Sequence, residues 1–154
     1  MKGTRRVATQ SGHERQARDN ERILGLLLAS PAGPGQCEWA ATVAFYKALH
    51  LVEALLAGDV QGPCFHTSSH DQRNDLLKRT KRYEFVYRQY KPLYDASMTA
   101  RYLLDEADPF MSRYPLAFVA GTLVGKHLRG LESGIGRLLQ DQTFAARVQG
   151  VADV

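Results

Sequence analysis

The chain has 154 residues, 44% hydrophobic and 23% charged, which is enough for one folded domain with a real core. Its formal charge of +4 permits an anionic partner without requiring one. Two cysteines exclude a disulfide scaffold, the polar N-terminus holds no apolar signal core, and no uninterrupted apolar run reaches the roughly 18 residues of a membrane span.

Residues 1–13 carry Lys2, Arg5 and Arg6 with few large apolar side chains and read as a mobile basic tail. A helix is expected over 14–29, with Ile23, Leu24, Leu27 and Leu28 as its apolar edge, stopped by the Pro- and Gly-rich stretch that follows Ser30. The next helix, from Cys37 to about Ala57, is apolar on almost every side, as in the central helix of a bundle. Its interior polar residues Lys47, His50 and Glu53 recur every three positions and form one narrow stripe. Ser69 and Gln72 form a capping box that opens a third helix, expected to continue to Tyr90. Pro92 breaks that helix and starts a fourth, to about Ala107. A last helix is expected from near Pro115 to Leu139, where Gly121 and Gly125 are spaced for a close helix approach. Residues 141–154 read as a frayed tail. The fold class is all-α, an up-and-down bundle of about five helices spanning 14–140.

Several side-chain sets could carry chemistry. Cys64, His66 and His70, with Cys37, offer thiolate and imidazole donors. A C-x-x-C pair is missing, and the two histidines straddle a loop–helix boundary, so no metal and no cofactor is expected. His50 and His127 read as hydrogen-bonded interior histidines. Tyr94, Arg101 and Tyr102 share a helix face, and if it meets the turn of His70 and Arg73 the bundle gains a pocket of cations and aromatics. Arginines hold phosphate by forked hydrogen bonds, tyrosines stack on bases and a histidine moves protons. A plainer reading pairs Arg101 with Asp105 and leaves the tyrosines in the core. Lys78, Arg79 and Arg82, interleaved with Tyr83 and Tyr87, resemble an RNA-binding face.

The stretch from Val43 to Ala57, opening on Phe45-Tyr46, resembles the second helix of HEPN domains. The loop ending Thr67-Ser68-Ser69-His70 is similar to the T-H or S-H that starts the family's next helix, and Ala100-Arg101-Tyr102 resembles the end of its late helix. The likeness covers Trp39 to Ala107. It implies an up-and-down bundle acting on RNA, either by binding or as a metal-independent endoribonuclease of a defence or toxin–antitoxin system. It also implies a homodimer, with RNA and an antitoxin or other protein as partners, in the cytoplasm. On that reading His70, Arg73 and Arg101 are the catalytic set, and Tyr94, Tyr102, Lys78, Arg79 and Arg82 bind RNA. Active members carry R-x₄₋₆-H on a late helix. Here no histidine stands at that spacing after Arg101 or Arg113, and the one formal match joins Arg6 to His13. The alternative is a non-catalytic helical module that dimerises or docks a partner.

Overall fold

The computed structural model describes residues 8–64, 66–102 and 110–151. They form an all-α bundle, with no strand among them. Helix α1 (Gln10–Ala29) is capped by Thr9, whose Oγ1 accepts from the Gly12 backbone N–H at 3.1 Å. It buries His13, Glu14, Ala17 and Leu24, one stripe at helical spacing. The reading of 1–13 as a mobile tail is thus corrected at its inner end. Residues 10–13 are helical, and His13 is buried against α2.

Gly35 adopts a left-handed φ of +78° and turns the chain into α2 (Gln36–Gly58). The Gln36 amide fastens that corner by donating to the carbonyls of Leu27 at 2.8 Å and Ser30 at 2.9 Å. Over an 18-residue window α2 has a mean hydropathy of 1.4, so by length and composition it could cross a membrane, but 72% of that window is buried inside the bundle. It is the central helix, packed against α1 and against the later helices described below.

Ser69 caps α3 (His70–Arg79), its hydroxyl accepting from Gln72 N at 3.1 Å, while Gln72 Oε1 accepts from Ser68 N at 2.8 Å. Helix α3 does not continue to Tyr90. It ends at Thr80, whose backbone is extended, and a 3₁₀ turn (Lys81–Tyr83) leads into α4 (Glu84–Tyr102). The break falls there because Tyr83 is buried, its hydroxyl 2.7 Å from Asp59 Oδ2 at the end of α2. Pro92, expected to break the chain, lies inside α4, where it removes one backbone donor and leaves the helix continuous.

A single turn, α5 (Phe110–Arg113), precedes α6 (Leu116–Phe118), a wider π-wound stretch (Val119–Leu128) and α7 (Arg129–Leu138), which follow one another without a break. No helix among the described residues packs on Gly121 or Gly125. An added Cβ would meet nothing within 4 Å at Gly121, and at Gly125 only the carbonyl of Ala120. The C-terminal segment is also not frayed throughout. Helix α8 (Phe144–Val148) buries Phe144 and Val148, and Arg147 bridges Glu14 on α1 at 2.6 Å and Asp141 at 2.7 Å.

The interior is apolar except where α2 carries charge into it. Lys47 is fully buried, with its ammonium 2.6 Å from both Glu21 of α1 and Glu132 of α7. Arg129 joins them, 2.5 Å from Glu21 and 2.8 Å from Glu132. Burial pushes the Glu21 carboxyl upward, but hydrogen bonds from Arg129 and Lys47 outweigh it and hold the group below its ordinary value. Lys47→Ala leaves the Glu132 carboxylate buried with its compensation reduced. The variant should lose about 3–5 kcal/mol in urea unfolding, and a loss below about 1 kcal/mol, as for a surface pair, would contradict this assignment.

Candidate functional site

The second charge on α2, Glu53, is a buried hub. Its Oε1 accepts from Arg73 Nε at 2.9 Å and from the Thr67 hydroxyl, and its Oε2 accepts from Thr67 N at 3.2 Å. His66 Nδ1 lies 3.0 Å from the same Oε2. One helical turn earlier, His50 Nδ1 meets His13 Nδ1 at 3.1 Å, and the His13 ring stacks on His66 with centroids 5.2 Å apart. Glu53 therefore ties the loop after α2 and the start of α3 to one carboxylate, and His13 of α1 reaches this group through His50 and His66.

Arg73 carries this network toward the surface. Its Nη1 donates to His70 Nδ1 at 3.1 Å and lies 3.5 Å from the Tyr90 hydroxyl. A guanidinium only donates, so His70 Nδ1 accepts and the His70 proton sits on Nε2. Burial, then the nearby Arg73 and Arg101 cations, push the His70 pKa down, which favours this neutral ring.

Beside it lies an aromatic cluster built on the buried Phe45 ring. His70, Tyr90, Tyr94 and Tyr46 pack around it with centroids 5.6–5.8 Å away. The Arg101 guanidinium sits 5.5 Å from the Phe45 centroid, 5.6 Å from Tyr46 and 5.3 Å from Tyr102. Among the described residues its hydrogen bonds go to neutral groups, the Ser97 carbonyl and hydroxyl, the Met98 sulfur and the Tyr46 hydroxyl. Next to it, between α2 and α4, opens a cleft of about 460 Å³ lined by Glu38, Trp39, Thr42, Tyr46, Ala100 and Arg101. Trp39 is 64% exposed and Tyr102 58%. One Glu38 carboxylate oxygen has no hydrogen-bond partner among the described residues. A larger cleft of about 520 Å³ lies at the C-terminal end of α7, away from these groups.

The residues singled out in the sequence thus divide. His70, Arg73, Arg101 and Tyr94 do converge, and Tyr102 flanks them. Arg73 is buried and committed to Glu53, so it positions His70 and does not face the cleft. Arg82 forms a forked pair with Asp59 at 2.9 and 3.0 Å and donates to the Leu138 carbonyl, which makes it a brace between α2 and α7. Lys78 and Arg79 are exposed at the far end of α3. The pairing of Arg101 with Asp105 falls outside the described residues. Trp39, Tyr46 and Glu38 were not foreseen as a cleft, although an exposed Trp in the first turn of an apolar helix was a usable signal. Cys37 and Cys64 do not join His66 and His70. The donor atoms that do gather, within 4.8 Å of one another, belong to His13, Glu53 and His66.

Family models, curated proteins and solved structures were each compared with the chain, and none matches it.

The histidines make stability depend on pH. Burial, and then the neighbouring His13, lowers His50 to about 4, although Glu53 opposes this. Burial also lowers His13 and His70. A histidine with a depressed folded-state value binds more protons when unfolded, so its contribution is complete above the unfolded value of about 6.5 and is lost as pH falls toward 4. Urea unfolding should show about 2–3 kcal/mol lost between pH 7 and pH 4.5, much reduced in His50→Gln. A flat profile over that range would contradict the buried neutral pair.

Proposed function

We propose that this chain is an RNA-binding helical module of HEPN-like type, taking single-stranded RNA in the cleft between α2 and α4. The observation that supports it best is the setting of Arg101. Its cation is framed by Phe45, Tyr46 and Tyr102, its hydrogen-bond partners among the described residues are neutral, and an exposed Trp39 lines the same cleft. Bases stack on such rings whatever their sequence, while a guanidinium holds the phosphate between them. The unpartnered Glu38 oxygen can accept from a 2′-hydroxyl, a contact that distinguishes RNA from DNA. The modest net charge of +4 fits a short single-stranded segment better than a long duplex.

Binding is favoured over cleavage by the state of His70. Its Nδ1 lone pair is taken by Arg73, so in this arrangement the ring can donate a proton from Nε2 but cannot accept one from a 2′-hydroxyl. For His70 to act as the base of metal-independent cleavage, Arg73 Nη1 would have to release His70 Nδ1.

A second reading, a docking module, draws on α1, whose outer face exposes Ile23 and Leu26 three residues apart. Sedimentation of wild type beside Leu26→Glu tests it. A dimer that the variant dissolves would favour docking.

The RNA reading is tested by fluorescence anisotropy with a single-stranded RNA oligonucleotide, with EDTA present. Arg101→Ala and Trp39→Ala should each weaken binding about tenfold or more, as expected for loss of one stacked base at about 1–3 kcal/mol. The RNA should remain intact. Equal affinity in wild type and both variants would overturn the cleft assignment. EDTA-resistant cleavage lost in His70→Ala would replace binding with catalysis.

A further inference from the structure

We infer that His13, Glu53 and His66 form a site for a divalent transition-metal ion of the Zn²⁺ class. The ion would clamp the loop after α2 onto α1 and α2. The donor set is two imidazoles and one carboxylate, which suits Zn²⁺ and its late first-row neighbours and not Mg²⁺ or Ca²⁺, which take oxygen ligands. The donor atoms of His13, Glu53 and His66 already lie within 4.8 Å of one another and come from three separate parts of the chain.

The independent observation is His13. The residue is 5% exposed, and its Nε2 has no hydrogen-bond partner among the described residues. Its other nitrogen faces His50 Nδ1 at 3.1 Å. That contact is a hydrogen bond only if one ring donates. If His13 donates from Nδ1, its buried Nε2 presents a bare lone pair. A metal-binding imidazole takes this form, with one nitrogen held by a hydrogen bond and the other turned to the ion. Without a ligand, the orphaned nitrogen carries a desolvation cost that no described partner offsets.

Binding requires a defined movement. Ligand atoms around a tetrahedral ion with bonds of about 2.0–2.1 Å stand about 3.3 Å apart, so the set must contract. The metal bond lies in the ring plane, whereas His66 now stacks on His13 with the planes 15° apart. His66 is the residue that can turn, because it lies on the loop with its side chain 43% exposed. Arg73 and Thr67 can keep Glu53 Oε1 while the ion takes Oε2. The Arg73 charge beside the shared carboxylate opposes a second cation, so affinity should fall short of that of a closed thiolate site.

The experiment titrates ZnCl₂ into the full chain after removal of metal, with calorimetry for stoichiometry and Co²⁺ as a visible-absorption probe of tetrahedral geometry. Wild type should take one ion per chain, gain several degrees in Tm with excess Zn²⁺, and show tetrahedral Co²⁺ bands. His66→Ala should weaken Zn²⁺ binding at least tenfold and lose the Co²⁺ bands, and His13→Ala should abolish binding. Cys64→Ser, which removes the exposed thiol, and Arg101→Ala, in the RNA cleft, should bind as wild type does. His66→Ala decides the matter even if His13→Ala fails to fold. Unchanged affinity in His66→Ala, loss of binding in Cys64→Ser, or no binding by wild type would each overturn the site.

Discussion

Two charged side chains on an otherwise apolar central helix govern this structure. Lys47 and Glu53 lie on the one polar stripe of α2, and each is wholly buried. An isolated charge in such surroundings costs several kcal/mol, so the fold holds only if other elements deliver compensation to fixed points. Glu21 from α1 and Glu132 from α7 meet Lys47, while Arg73 from α3 and Thr67 from the preceding loop meet Glu53. Apolar packing makes the bundle compact. The two charges also specify which helix lies where and in what register, because a slip of one turn would leave a carboxylate or an ammonium buried without its partner.

The same arrangement positions the surface proposed to bind RNA. Glu53 holds Arg73, Arg73 fixes the tautomer of His70, and His70 packs on the Phe45 cluster that carries Arg101. The chain of contacts runs from the core to the edge of the cleft. Arg73 looks catalytic when read by residue type, yet its place in this chain makes it a strut. Arg101 differs in that its hydrogen-bond partners among the described residues are all neutral.

Much of this was legible in the sequence. The all-round apolar pattern of α2 identified the central helix, the Lys47–His50–Glu53 spacing put its polar groups on one stripe, and Ser69 with Gln72 marked the start of α3. Helix spacing put Tyr94 and Arg101 on one face, but whether this face meets His70 and Arg73 was set by the packing of α2, α3 and α4, which spacing does not fix. What was not legible depended on distant partners. Local rules put the helix break at Pro92, but the buried hydrogen bond between Tyr83 and Asp59 moved it to Thr80. Residues 10–13 have little apolar content of their own, and their helix is held by Thr9 and by the contact of His13 with His50. Helix α8 is too short to show a period, and only the burial of Phe144 and Val148 and the reach of Arg147 to Glu14 keep it in place. Arg82 was indistinguishable from its neighbours Lys78 and Arg79 until Asp59 claimed it.

Mapping of amide and indole NMR shifts during titration with a short single-stranded RNA tests the central claim most directly, because it locates the ligand without altering the protein. The account predicts that the largest changes fall on the Trp39 indole, Tyr46, Arg101 and Tyr102, with smaller ones at His70 and little at Lys78 and Arg79. Changes gathered on Lys78 and Arg79, or no changes at RNA concentrations well above those of the protein, would contradict it.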